Sequence, residues 1–68
     1  MSFATALFDE YGPTMRTAQA AELFGCSPGH IRALCQRGEL PAVRVGSRWI
    51  IPTINIAEFF EKGITDGS

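Results

Sequence analysis

Within the five residues Phe24-Gly25-Cys26-Ser27-Pro28, one helix has to end and another has to begin. Glycine at position 25 tolerates the left-handed backbone that closes a helix. Ser27 offers a side-chain oxygen to the first N–H groups of the next helix, and Pro28 suits its first position, where a missing N–H costs nothing. So short a link makes the two helices neighbours. The first is expected from Ala18 to Phe24, capped by Thr17, with Ala20, Leu23 and Phe24 on one buried face. The second starts at Ser27 and closes at Gly38, with Ile31, Leu34 and Cys35 forming the i, i+3, i+4 inward stripe. Pro28, Gly29, Arg32, Ala33, Gln36 and Arg37 then lie on the outer faces, with His30 flanking.

Leu40-Pro41 leads from this pair into a β-hairpin, Ala42–Val45 against about Arg48–Ile51. Two registers compete. A three-residue loop Gly46-Ser47-Arg48 sets Val45 against Trp49 and Val43 against Ile51, which makes one face wholly apolar. A two-residue loop Gly46-Ser47 has better turn chemistry, since Gly-X suits a type II′ turn, but pairs Val45 with Arg48 and mixes the faces. Burial favours the three-residue loop. Trp49 alternates with Ile51 and is expected to anchor the hairpin to the core, the alternative being a stacking surface for a base. A last helix follows from about Ile54 to Lys62, capped by Thr53, with Ile56, Phe59 and Phe60 inward and Gly63 at its end. In residues 1–15, Phe3, Leu7, Phe8 and Tyr11 recur at helical spacing before Gly12-Pro13; this is either a short amphipathic helix or an arm that orders on a partner. The expected organisation is therefore an N-terminal extension over 1–15, one domain over 16–62 and a flexible tail over 63–68.

Sixty-eight residues allow one small core, of marginal stability alone. At 46% hydrophobic residues the chain is not disordered by composition, yet no apolar run approaches the roughly 20 residues that span a bilayer. No basic segment followed by a long apolar stretch opens the chain, so the expected location is the cytoplasm, with no membrane partner. Cys26 and Cys35 form no C-x-x-C pair, and His30 has no partner at ligand spacing; no metal and no cofactor are expected. No Ser, Cys or acid stands in a triad arrangement with His30, so no catalytic residue is assigned and the chain is not expected to be an enzyme.

The net charge of −1 conceals a polarised distribution. Arg32, Arg37, Arg44 and Arg48 stand against Glu39 alone between Ser27 and Arg48, about +3, while Asp9, Glu10 and Glu22 precede this stretch and Glu58, Glu61 and Asp66 follow it. Helix, tight turn and basic second helix together form the arrangement that presents a helix to the DNA major groove. Pro28 and Gly29 keep its first turn slim. Ser27 and the helix N-terminus can meet a phosphate, and His30 and Arg32 can reach base edges, arginine reading guanine with two hydrogen bonds. Ala33 and Gln36 continue the outer face; Gln36 lies deeper and Arg37 suits a phosphate. Ser47 and Arg48 at the hairpin tip, with Arg44 on the same strand pair, form a second contact, an arginine on a narrow loop being suited to the minor groove. The alternative for Arg44 and Arg48 is ordinary solvated charge.

Thr17…Ala20-Ala21-Glu22-Leu23-Phe24-Gly25-Cys26-Ser27, Ile31…Leu34…Arg37-Gly38-Glu39-Leu40-Pro41-Ala42, Val43-Arg44-Val45-Gly46-Ser47-Arg48-Trp49, Ile51-Pro52 and Phe59-Phe60 together resemble the small excisionase-type domains related to the MerR DNA-binding domain. The resemblance covers Arg16 to Phe60, about two-thirds of the chain. It implies a mainly α fold with a small β-hairpin, a winged helix-turn-helix. It further implies a recombination directionality factor: an architectural protein that binds and bends attachment-site arms of double-stranded DNA, as a homodimer or cooperative multimer, and helps an integrase excise a prophage or integrated element. Members usually carry polar or charged residues where this chain has Pro28, Gly29, Ile50 and Ile54. A cover for Ile50 or Ile54 is expected from Phe3, Leu7 and Phe8, in cis or from a second copy. The alternatives are a small winged-helix transcription regulator and a protein-interaction module with no DNA role.

Overall fold

A computed structural model describes the backbone of residues 2–66 and the side chains of 2–62. Helix α1 (Phe3–Tyr11) starts where Ser2 Oγ accepts the Thr5 N–H at 3.1 Å and stops at Gly12, whose φ of 83° lets its N–H return to the Phe8 carbonyl. The N-terminal segment is thus helical, as its apolar spacing allowed. Strand β1 (Thr14–Arg16) comes next and was not anticipated: three residues with one inward side chain carry no readable alternation. It pairs antiparallel with strand β3 (Arg48–Pro52), setting Met15 against Ile51, both fully buried.

This pairing moves the start of helix α2 (Thr17–Phe24). Arg16, held extended in the sheet, is the cap position, and Thr17 is already helical rather than the expected cap. Gln19 Oε1 takes over, accepting the Arg16 N–H at 2.9 Å. Gly25 closes the helix at φ 73°, as expected. Helix α3 (Pro28–Gln36) opens on Ser27, whose Oγ accepts the His30 N–H at 3.2 Å. Ile31, Leu34 and Cys35 are its buried residues, as the spacing requires. Burial pushes the Cys35 thiol pKa upward.

The hairpin adopts the register that burial disfavoured. Strand β2 (Val43–Val45) pairs Val43 with Ile50, Arg44 with Trp49 and Val45 with Arg48 around the two-residue turn Gly46-Ser47. Gly46 has φ 63° and Ser47 a negative φ, the sign pattern of a type II′ turn. The missing third strand explains the error. In the order β1-β3-β2, Met15 on β1 joins Ile51 on the inward face from the side away from β2, so the sheet contributes to the core without the valines of the edge strand β2. Val43 and Val45 remain 59% and 60% exposed.

Helix α4 (Thr53–Asp66) follows directly. Thr53 is fully buried and does more than start a helix: its Oγ1 donates to the Gly12 carbonyl at 2.7 Å and its N–H to the Pro13 carbonyl at 2.9 Å. The helix continues past Gly63 instead of ending there, since one glycine inside a helix costs only about 1 kcal/mol; of the expected tail, 67 and 68 lie outside the described residues. Helix α1 packs on α4 in cis, with Leu7 buried and the Phe3 and Phe60 rings 5.3 Å apart; Phe24 of α2 meets Phe60 at 4.9 Å and Phe59 at 5.8 Å. The expected cover therefore falls on Phe60, and Ile54 stays 43% exposed. Among the described residues, four helices around a three-stranded antiparallel sheet make a winged helix-turn-helix, with α2 and α3 as the helix pair and β2-β3 as the wing.

Candidate nucleic-acid interface

Arg32 projects from α3 and Arg48 from the start of β3, yet both line one open cleft of about 220 Å³ with Arg16, Thr17, Ser47 and Trp49. Local geometry explains each placement. Helical side chains lean toward the N-terminus of their helix. A Cβ on Gly29 would stand 3.7 Å from Arg32 Nη2, so the Arg32 side chain lies back along the first turn of α3, over a residue that leaves it room. The type II′ turn puts Ser47 and Arg48 at the wing tip. Arg16 ends β1 just before α2, on the sheet face it shares with its partner Ile50. Three guanidinium groups thus come from three elements, beside the N-terminus of α2. Among the described residues no carboxylate pairs with any of them, so their fields add.

The remaining residues singled out from the sequence divide around this cleft. Ser27, Pro28, Gly29 and His30 form the exposed first turn of α3, with the Ser27 hydroxyl oxygen engaged as the cap. Ala33 is half-buried and Gln36 exposed. Arg37 stands at the far end of α3, its Nε 2.8 Å from Glu39 Oε2, an exposed pair whose acid offsets its charge. Arg44 is not brought into the cleft. It shares the inward sheet face with Trp49, stacks its guanidinium 5.8 Å from that ring's centroid and donates from Nε to the Gly46 carbonyl at 3.3 Å. Its first role is to brace the turn. Trp49 is half-buried against the core and also walls the cleft, so it anchors the wing as expected.

Arg16 was missed. Its signal was positional: a lone arginine immediately before a helix start in an otherwise acidic N-terminal third. Only the pairing of β1 with β3 carries it to the wing. Among the described residues no cluster of His, Cys, Asp and Glu is placed to hold a metal ion, and no helix is long and apolar enough to cross a membrane.

An exposed helix turn and a wing arginine on the same side of the fold, with a cationic cleft between them, are suited to a polyanionic duplex. A search of curated proteins and a search of solved structures each found no match. The Helix-turn-helix domain family matches residues 14–63, from the first residue of β1 into α4, and the chain belongs to this DNA-binding family.

Proposed function

We propose that the protein docks α3 in the major groove of double-stranded DNA and lays the wing tip along the adjacent backbone or minor groove, with one phosphate seated between Arg16, Arg32 and Arg48. The observation that carries this reading is the convergence of Arg32 and Arg48 on one cleft. A helix and a ribbon gripping neighbouring grooves need their cations on the same side of the core. Ser27, Pro28, Gly29, His30, Arg32, Ala33 and Gln36 form the groove-facing surface; Ser47 and Arg48 contact the backbone beside it, with Arg37 and Arg44 at the periphery. The biological role is that of an excisionase: an architectural factor that bends attachment-site DNA in the cytoplasm and assists an integrase, without chemistry of its own. The motif run from Gly38-Glu39-Leu40-Pro41-Ala42 to Val45-Gly46-Ser47-Arg48-Trp49 supports this role.

Fluorescence anisotropy with attachment-site duplexes tests the binding surface. Affinity should fall by orders of magnitude between about 50 and 200 mM salt. Arg32→Ala should relax sequence preference, and Arg48→Ala should weaken binding to all sequences. Wild-type behaviour of both variants would refute the assignment of helix and wing. A reconstituted reaction with the element's integrase tests the role: excision should rise on adding the protein. DNA binding without any effect on excision would favour the transcription-regulator reading.

A further inference from the structure

We propose that a second cleft, between the loop after α3 and helix α4, receives an arginine side chain of a partner protein. It measures about 270 Å³, with Glu39 and Pro41 on the loop wall and Asn55, Glu58, Phe59 and Lys62 on the helix wall. A small-molecule pocket usually runs to roughly 300–1,000 Å³ and encloses its ligand, whereas this cleft is open and suits one inserted side chain.

Its walls are fixed before any partner arrives. Beyond Gln36, the last residue of α3, the Glu39 and Leu40 N–H groups both return to the Leu34 carbonyl, at 3.0 and 3.3 Å. Leu40 is fully buried and pins the loop to the core. Asn55 Nδ2 donates to the Pro41 carbonyl at 3.1 Å, which joins loop to helix. Half-buried Phe59 stacks on Phe24 at 5.8 Å and is held as an apolar wall.

The chemistry of the lining selects the occupant. Acceptors predominate: the Glu39 and Glu58 carboxylates and the side-chain oxygen of Asn55, whose amide nitrogen is already engaged. Glu39 has Arg37 as a neighbour. Glu58 and Lys62 are exposed one turn apart on α4, and among the described residues neither forms an ion pair, so the Glu58 carboxylate is the free anion of the cleft. A guanidinium brings a planar fork of donors and stacks on an aromatic face; an ammonium is a point charge without such a plane. The arginine stem lies along Phe59 and Pro41 and its fork meets Glu58, with Lys62 as the one opposing charge. The cleft opens past the C-terminal end of α3, roughly 13 Å along that helix from the first turn over which Arg32 lies. A partner seated here leaves that first turn uncovered. The inference needs no nucleic acid and does not rest on the DNA reading.

Two-dimensional amide NMR spectra of the full chain, without DNA, titrated with N-acetyl-arginine amide, test it. Shifts should concentrate at Glu39, Asn55 with its side-chain amide, Glu58 and Phe59, with the millimolar affinity expected of a single side chain. N-acetyl-citrulline amide, the uncharged isostere, and N-acetyl-lysine amide should each bind more weakly. Glu58→Gln should weaken the arginine probe about fivefold, near the upper limit for one exposed charge pair, and Lys62→Ala should tighten it. Glu10→Gln changes an equally exposed acid on α1 and should bind the probe as wild type does. The same spectra show whether each variant is folded. Shifts spread evenly over Asp9, Glu10 and Glu22, citrulline binding as well as arginine, or an unchanged affinity of folded Glu58→Gln overturns the proposal.

Discussion

Arg16→Ala should weaken DNA binding without unfolding the protein, and its size follows from the site. The side chain is exposed, and the hydrogen bond at this position uses the backbone N–H, which alanine keeps. Stability should therefore change by no more than about 0.5 kcal/mol. In the proposed complex, the arginine is one of three that line the cleft and would share a single phosphate. Removing one charge-assisted contact, worth about 1.5 kcal/mol, lowers affinity roughly tenfold at low salt. The salt dependence gives a second, independent number. Each phosphate neutralised contributes about 0.9 to the slope of log affinity against log salt. Between about 50 and 200 mM the wild-type advantage should shrink by a factor of about 3.5. The loss should be equal for specific and scrambled duplexes, because a phosphate contact carries no sequence information. Anisotropy titrations at four salt concentrations, with wild type, Arg16→Ala and Arg37→Ala, measure all of this. Arg37 already has Glu39 as a neighbour and should give the smaller effect. An Arg16→Ala protein that is folded and retains both affinity and slope would refute the phosphate seat.

Three further outcomes test the fold that holds the site. Thr53→Val keeps the shape of a fully buried side chain but deletes the 2.7 Å bond to the Gly12 carbonyl, so urea unfolding should show a loss of about 1–3 kcal/mol. Deleting residues 1–13 strips α1 from Phe60 and removes both carbonyl acceptors of Thr53, so the melting temperature should fall; an unchanged value would mean that α1 contributes nothing in cis. The buried Cys35 thiol releases its proton less readily folded than unfolded. Its contribution to stability is full below the unfolded pKa and is lost as pH rises through the folded one. Urea melts from pH 7 to about 10 should therefore show wild type losing stability relative to Cys35→Ala above roughly pH 8.5.

The sequence was most legible where one residue answers to its immediate neighbours. Gly25, Ser27, Pro28 and Gly46 each meet a local backbone demand, and Ile31, Leu34 and Cys35 follow a period that needs no knowledge of the partner. Gly25, Ser27, Pro28, Ile31, Leu34 and Cys35 were read correctly, and with them the helix pair and the presence of a hairpin, whereas Gly46 followed its turn preference against the register that burial was expected to impose. Positions that depend on distant strands were misread. Thr17 looked like a cap until Arg16 was drawn into a sheet. Val43 and Val45 looked inward, but the register sets them opposite Ile50 and Arg48, on the outward face.

By itself, then, the chain determined the helix pair, the hairpin and the last helix, though not strand β1, because caps, turns and helical periodicity act over three or four residues. Tertiary structure decided the rest: the register of the wing, the place of α1 against α4, and the gathering of Arg16, Arg32 and Arg48 around one cleft. Those depend on contacts such as Met15 with Ile51, which join segments far apart in the chain. No local pattern encodes such a contact, and it forms only when the burial it allows exceeds the entropy of closing the intervening loop.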